Sequence, residues 1–143
     1  MIAVLDLIID SLVVLITSKL LKLNKIFDIY KKTIFKIWSL GFVADFIGAV
    51  FLFIMSFIFN SIETKINLEI RYNIDYDPFG NIYAFITIII AVGISGALIF
   101  LFNNYIVFKK INISKKEKFV LSLSMAIFTM PYIFLCRILG DIQ

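Results

Sequence analysis

The sequence predicts an all-α, polytopic membrane protein with four transmembrane helices in a single domain. Apolar residues make up 62% of the 143 residues, well above the roughly one half that is typical of a soluble domain. They are gathered into runs of about 20 residues, which is the length a membrane-spanning helix needs. A third observation, the uneven placement of lysine, predicts that both termini are extracytoplasmic.

The predicted spans are four apolar runs, at about residues 3–23, 37–59, 82–108 and 119–139. Eleven of the fourteen Lys and Arg residues lie in two short stretches, 19–36 and 109–118, beside the inner ends of these runs. Loops rich in Lys and Arg remain on the cytoplasmic side of a membrane. Both stretches predict the same orientation in the cell membrane, with the loop between the second and third spans outside.

The segment between the first two spans has a helical periodicity of its own. Its apolar residues recur at helical spacing, with lysines on the other side: Leu23, Ile26, Phe27, Tyr30 and Ile34. Two interpretations remain open. The segment is either an amphipathic helix on the inner leaflet or a cytoplasmic extension of the first or second span.

The external loop alternates apolar and polar residues from 66 to 77. Its apolar members are Ile66, Leu68, Ile70, Tyr72, Ile74 and Tyr76. A period of two is typical of a strand, so we expect a short strand-like segment between the second and third helices. Because a lone strand lacks backbone partners, it would pair with another chain. The alternative is an extended loop resting on the outer ends of the helices.

Asp45 is the acidic residue placed deepest within a predicted span, roughly 12 Å from its cytoplasmic end at 1.5 Å per residue. An Asp at such a position costs on the order of 3 kcal/mol, so we expect it to face polar groups inside the bundle. Counting from the membrane edge predicts an intramembrane polar cluster of Asp45, Asn103, Asn104, Thr17 and Ser122. This cluster either lines a cavity for a proton, cation or small solute, or fixes helix packing through hydrogen bonds.

Small residues predict where the second and third spans approach closely. One stripe on the second span and one on the third contain Gly41, Ala44, Gly48, Gly93, Gly96 and Ala97. Small residues four apart permit close contact between membrane helices. We therefore expect these two antiparallel spans to pack through this surface.

Charged residues near the outer ends of the first and last spans suggest an ion pair. Asp6 and Asp10 lie one turn apart on the first span, and Arg137 lies at a comparable depth on the last. A pair joining the two helices is one interpretation, and the other is that all three side chains reach separately to the interface. Pro131 predicts a kink in the fourth span, either static or a gating hinge.

The composition also limits the chemistry. The chain has no His and one Cys, which excludes a histidine base, an internal disulfide and a zinc cluster. We expect no enzymatic activity, no cofactor and no metal. The lysines predict contact with anionic inner-leaflet headgroups rather than with nucleic acid.

The leading functional hypothesis is a small non-enzymatic integral membrane subunit of a larger bacterial envelope assembly, such as a secretion, conjugation or transport machine. It would form a homo-oligomer or bind other membrane proteins. The alternative is a small oligomeric channel or transporter that uses Asp45 in the intramembrane polar cluster.

Overall fold

A computed structural model describes residues 2–62 and 64–135, and all the regular structure among them is helical. The α-helices, in chain order, are α1 (Ile2–Leu20), α2 (Ile26–Ser61), α3 (Lys65–Asp75), α4 (Ile82–Phe102) and α5 (Lys115–Thr129). The prediction of an all-α fold is confirmed over the described residues.

Three helical segments are long and apolar enough to cross a membrane: Ile26–Ser61, Ile82–Lys110 and Lys115–Leu135. Helix α1 is not among them, because its 19 residues include three charged side chains, Asp6, Asp10 and Lys19. Length and composition thus support three of the four predicted spans. A membrane crossing by α1, and the side on which the termini lie, remain predictions.

A tight turn joins α1 to α2. Lys22 has a positive φ of 53°, and its amide donates to the carbonyl of Lys19 while the amide of Leu23 donates to that of Ser18. This pair of bonds is the Schellman motif, which ends a helix. Helix α2 then continues without a break for 36 residues, about 54 Å at 1.5 Å per residue. The lysine-rich segment from residue 26 onward is therefore a helical extension of the second span.

The strand prediction for residues 66–77 is wrong, because residues 65–75 form helix α3. Thr64 caps the helix, and its side-chain oxygen accepts from the amide of Asn67 at 3.3 Å. A helix satisfies its backbone groups internally, whereas the predicted strand would have needed a partner chain. The six apolar residues of the predicted strand therefore do not share a face. Ile70 and Ile74 are buried, and the other four are exposed: Ile66, Leu68, Tyr72 and Tyr76.

Replacing the cap residue tests this assignment. Thr64→Ala removes the side-chain acceptor of the first turn, and we expect it to destabilise α3 by about 1 kcal/mol. Amide hydrogen exchange across residues 65–75 should become faster, while Thr64→Ser should preserve the slow exchange. Unchanged exchange in Thr64→Ala would contradict the helical assignment.

The third apolar run does not end as a regular α-helix. A π-helix, Asn103–Val107, follows α4 directly, and a 3-10 turn, Phe108–Lys110, follows the π-helix. Helix α5 then begins with a capping box, in which Ser114 and Glu117 exchange side-chain and backbone hydrogen bonds. The lysine-rich loop therefore lies between two well-defined helix ends.

Pro131 ends α5 instead of kinking it. The last residue of the helix is Thr129, and Met130 has an extended backbone with ψ of 154°. Steric contact with a following proline disfavours helical backbone at the preceding residue. The hydroxyl of Thr129 donates to the carbonyl of Met125 at 2.7 Å, and a short 3-10 helix, Tyr132–Leu135, follows.

The described residues divide into two compact units. The first unit comprises residues 2–44 and 96–130, and the second comprises residues 45–95 and 131–135. The core of the first unit includes Val14, Phe108, Leu121 and Met125, all fully buried. A smaller core in the second unit joins Ile70 and Ile74 of α3 to Ala84, with partly buried residues of α2 packed against it.

Candidate functional site

Three of the polar side chains that are buried in the first unit lie on elements that meet at α5: Ser18 on α1, Asn103 at the start of the π-helix, and Ser122 on α5. We call them the polar set. Each is at most 2% exposed. Helix α5 packs against both α1 and the π-helix, so the element carrying Ser122 contacts the elements that carry the other two.

One oxygen on each residue of the polar set has no hydrogen-bond partner among the described residues. These atoms are Ser18 Oγ, Asn103 Oδ1 and Ser122 Oγ. A buried polar atom without a partner costs about 1 to 3 kcal/mol. Three such atoms in one small unit therefore require an explanation beyond packing.

The two serines differ from three threonines in the helices. Thr33, Thr87 and Thr129 each donate to the carbonyl four residues earlier, at 2.7 to 2.8 Å. This bond is available to a hydroxyl within a helix. Ser18 and Ser122 do not make it, so both hydroxyls remain available to another ligand.

Asn103 has a defined orientation. Its side-chain amide donates to the carbonyl of Ile99 at 2.8 Å, which leaves its side-chain oxygen as an acceptor. The residue also begins the π-helix Asn103–Val107. Short π-helical segments are rare and are frequently found at functional sites.

The predicted polar cluster is distributed between the two units. Thr17, Asn103 and Ser122 are buried in the first unit, where Asn104 is half-buried. Asp45 is half-buried and belongs to the second unit. A meeting of Asp45 with Asn103 and Asn104 therefore remains a prediction.

The glycines of the predicted packing surface have different surroundings. A Cβ atom added at Gly48 would lie 3.2 Å from the carbonyl oxygen of Ala91 and would overlap the hydroxyl of Ser95. At Gly41 and Gly93 an added Cβ would meet no described heavy atom within 4 Å, and at Gly96 the nearest is Met130 Sδ at 3.4 Å. Of the two alanines, Ala44 is buried and Ala97 is exposed.

The predicted outer ion pair can be located only in part. Asp10 is 5% exposed on α1, and Asp6 is half-buried one turn earlier. Arg137 lies outside the described residues. The pairing of the first and last spans remains a prediction.

Helix α3 packs antiparallel to the last turns of α2 within the second unit. Asn60 accepts a hydrogen bond from the guanidinium of Arg71 at 2.7 Å. One turn earlier on α2, Ser56 donates to Asp75, one turn later on α3, at 3.2 Å. The rings of Tyr72 and Tyr76 pack against each other on the exposed side of α3, with centroids 5.2 Å apart.

Sequence reasoning missed two features of the polar set. It omitted Ser18, although this residue directly follows Thr17, which the predicted cluster includes. It also missed the π-helix, for which the adjacent Asn103 and Asn104 at the end of an apolar run were the available signal. Asparagine side chains hydrogen-bond to nearby backbone, so such a pair favours local departures from regular helix.

No family model, no curated protein and no solved structure matches this chain.

Proposed function

We propose that the chain is a multi-pass protein of the cell membrane that acts as a non-enzymatic subunit of a larger membrane assembly. The observation that carries this proposal is the exposure of α2. Only 11% of its apolar 18-residue window is buried, against 33% for the third run and 28% for the last. Among the three segments that are long and apolar enough to cross a membrane, α2 is thus the least covered, and a second helix packed against it would supply further contacts.

Phenylalanines concentrate on one side of α2. Within the second unit, Phe46, Phe53 and Phe57 are each more than 60% exposed. At 100° per residue these positions fall within an arc of about 40°. We call this arc the phenylalanine face. Aromatic side chains contribute large contact areas at protein interfaces, so the phenylalanine face is the surface we assign to another copy of the chain or to another membrane protein.

The charge distribution supports one orientation for this subunit. The lysines of stretches 19–36 and 109–118 would lie in the cytoplasm, where each gains about 1 kcal/mol from anionic headgroups. Helix α3 would then lie at the outer interface. Its exposed Tyr72 and Tyr76, together with exposed Tyr83 at the start of α4, have the chemistry of the aromatic belt at a membrane surface.

Disulfide cross-linking tests the assembly. In a Cys136→Ser background, Phe53→Cys places a single thiol on the phenylalanine face, and Phe128→Cys places one at an exposed position of α5. We expect mild oxidation to cross-link Phe53→Cys rapidly, either to the same thiol of a second copy or to a co-purified protein that carries a cysteine of its own, and Phe128→Cys slowly. A monodisperse monomer that carries no other protein and cross-links at neither position would contradict the proposal.

A second candidate function is a small channel or transporter built around Asp45. The buried Asn103 at the start of a π-helix favours it, because non-standard helix within an apolar run is typical of a functional segment. Asp45→Asn should abolish ion or solute flux in proteoliposomes without changing the mass of the purified particle. If the parent protein gives no flux, or Asp45→Asn leaves the flux intact, this candidate is excluded.

A further inference from the structure

We infer that the polar set binds water inside the first unit, where α5 packs against both α1 and the π-helix. This inference is independent of the assembly proposed above, since no residue of the polar set lies on α2. The unmet hydrogen-bonding capacity of Ser18, Asn103 and Ser122 carries it. Buried polar groups in proteins normally have a partner, and ordered water supplies one where protein atoms do not.

The donors and acceptors of the polar set suit water. Asn103 already uses its amide as a donor, so its side-chain oxygen needs a donor from elsewhere. A serine hydroxyl both donates and accepts. One water molecule can accept from a serine and donate to Asn103, and two to four such bonds are what a buried water requires.

Charge argues for a neutral ligand rather than a cation. No residue of the polar set is ionisable, so none would balance a buried positive charge. Five lysines lie in the loop between the π-helix and Ser122 or at its borders: Lys109, Lys110, Lys115, Lys116 and Lys118. Their combined charge disfavours a cation at this end of the first unit.

Not every buried hydroxyl of the first unit lacks a partner. Thr33 is as deeply buried as Ser122, yet its hydroxyl is satisfied by the carbonyl of Ile29 at 2.8 Å. Thr33 therefore needs no water, and it serves as a matched control for Ser122. The contrast between the two residues separates hydration from burial alone.

The first experiment measures transfer of NMR signal from water to the side chains of the unsubstituted protein in lipid bilayers. We expect transfer to the side-chain amide of Asn103 and to Ser122, and none to Thr33. Equal transfer to all three, or to none of them, would overturn the inference. Because it uses the unsubstituted protein, this measurement does not depend on whether any variant folds.

The second experiment uses the sign of a stability change. If Ser122 holds water, Ser122→Ala removes a partner, and we expect the midpoint of thermal unfolding to fall by about 3 to 6 °C. If the site is dry, the same change removes an unsatisfied hydroxyl, and the midpoint should rise or remain constant. Asn103→Leu should also lower the midpoint.

A shared water makes the two substitutions non-additive. The double variant should then lose less than the sum of the single losses, because the second change acts on a site that has already lost its water. Additive losses would overturn the shared site. A rise in the midpoint when NaCl is replaced by KCl at constant ionic strength would indicate a cation ligand, and it would overturn the assignment to water.

Discussion

Replacing Phe108 with alanine is expected to lower the free energy of unfolding by about 3 to 5 kcal/mol, the range for removing a buried aromatic side chain. Phe108 is the largest fully buried side chain among the described residues, with 0% exposure. It lies in the 3-10 turn that follows the π-helix. Its ring therefore anchors the irregular end of the third apolar run in the core of the first unit.

The loss arises mainly from packing, because the surrounding helices cannot fully close the cavity that the ring leaves. Phe128→Ala is the matched control, since Phe128 lies on α5 in the same unit and is 63% exposed. Reversible unfolding in mixed micelles would measure both variants. Similar losses for Phe108→Ala and Phe128→Ala would show that the position of Phe108 in the core is wrong.

The length of the apolar runs predicted the helices well because helix formation in lipid depends on each segment alone. A run of about 20 apolar residues in lipid must satisfy its backbone internally, and a helix does so without reference to other segments. The second, third and fourth predicted spans therefore correspond to helical segments that are long and apolar enough to cross a membrane. Helix α1 is the marginal case, because Asp6, Asp10 and Lys19 interrupt its apolar run.

The external segment could not be assigned by periodicity alone. Its alternation of apolar and polar residues fits a strand, yet Ile70 and Ile74 are also four residues apart, which is the spacing of a helix face. The choice depended on tertiary packing against Ala84 and on the Thr64 cap. A strand at this position would also have left its backbone without partners, and that consideration should outweigh a regular pattern in a short loop.

The candidate site was predictable only in part, for a similar reason. Counting residues from the lysine-rich ends predicted that the polar residues Thr17, Asn103 and Ser122 lie inside the bundle. All three side chains are buried. Which hydroxyls are satisfied by their own helix is a matter of side-chain rotamer, and sequence does not specify it. The same limit applies to the π-helix, since the preceding run is apolar on almost every side and a shift of one residue in helical register leaves no visible signal in it.

Replacing Gly48 with leucine is expected to destabilise the second unit by about 1 to 3 kcal/mol, the usual effect of overpacking a close contact. Any side chain at this position must displace Ser95 and approach the carbonyl oxygen of Ala91, which belongs to the backbone of α4 and cannot rotate away. Helices α2 and α4 would have to separate locally to admit it.

Gly93→Leu is the control for Gly48→Leu, because an added Cβ at Gly93 meets no described atom within 4 Å. Leucine is a better helix former than glycine by up to about 1 kcal/mol, so Gly93→Leu should be neutral or stabilising. Both variants add the same side chain to an apolar helix of the same unit, and the opposite signs separate the effect of helix contact from that of hydrophobicity. Equal effects in a micelle unfolding assay would mean that α2 and α4 do not approach at Gly48.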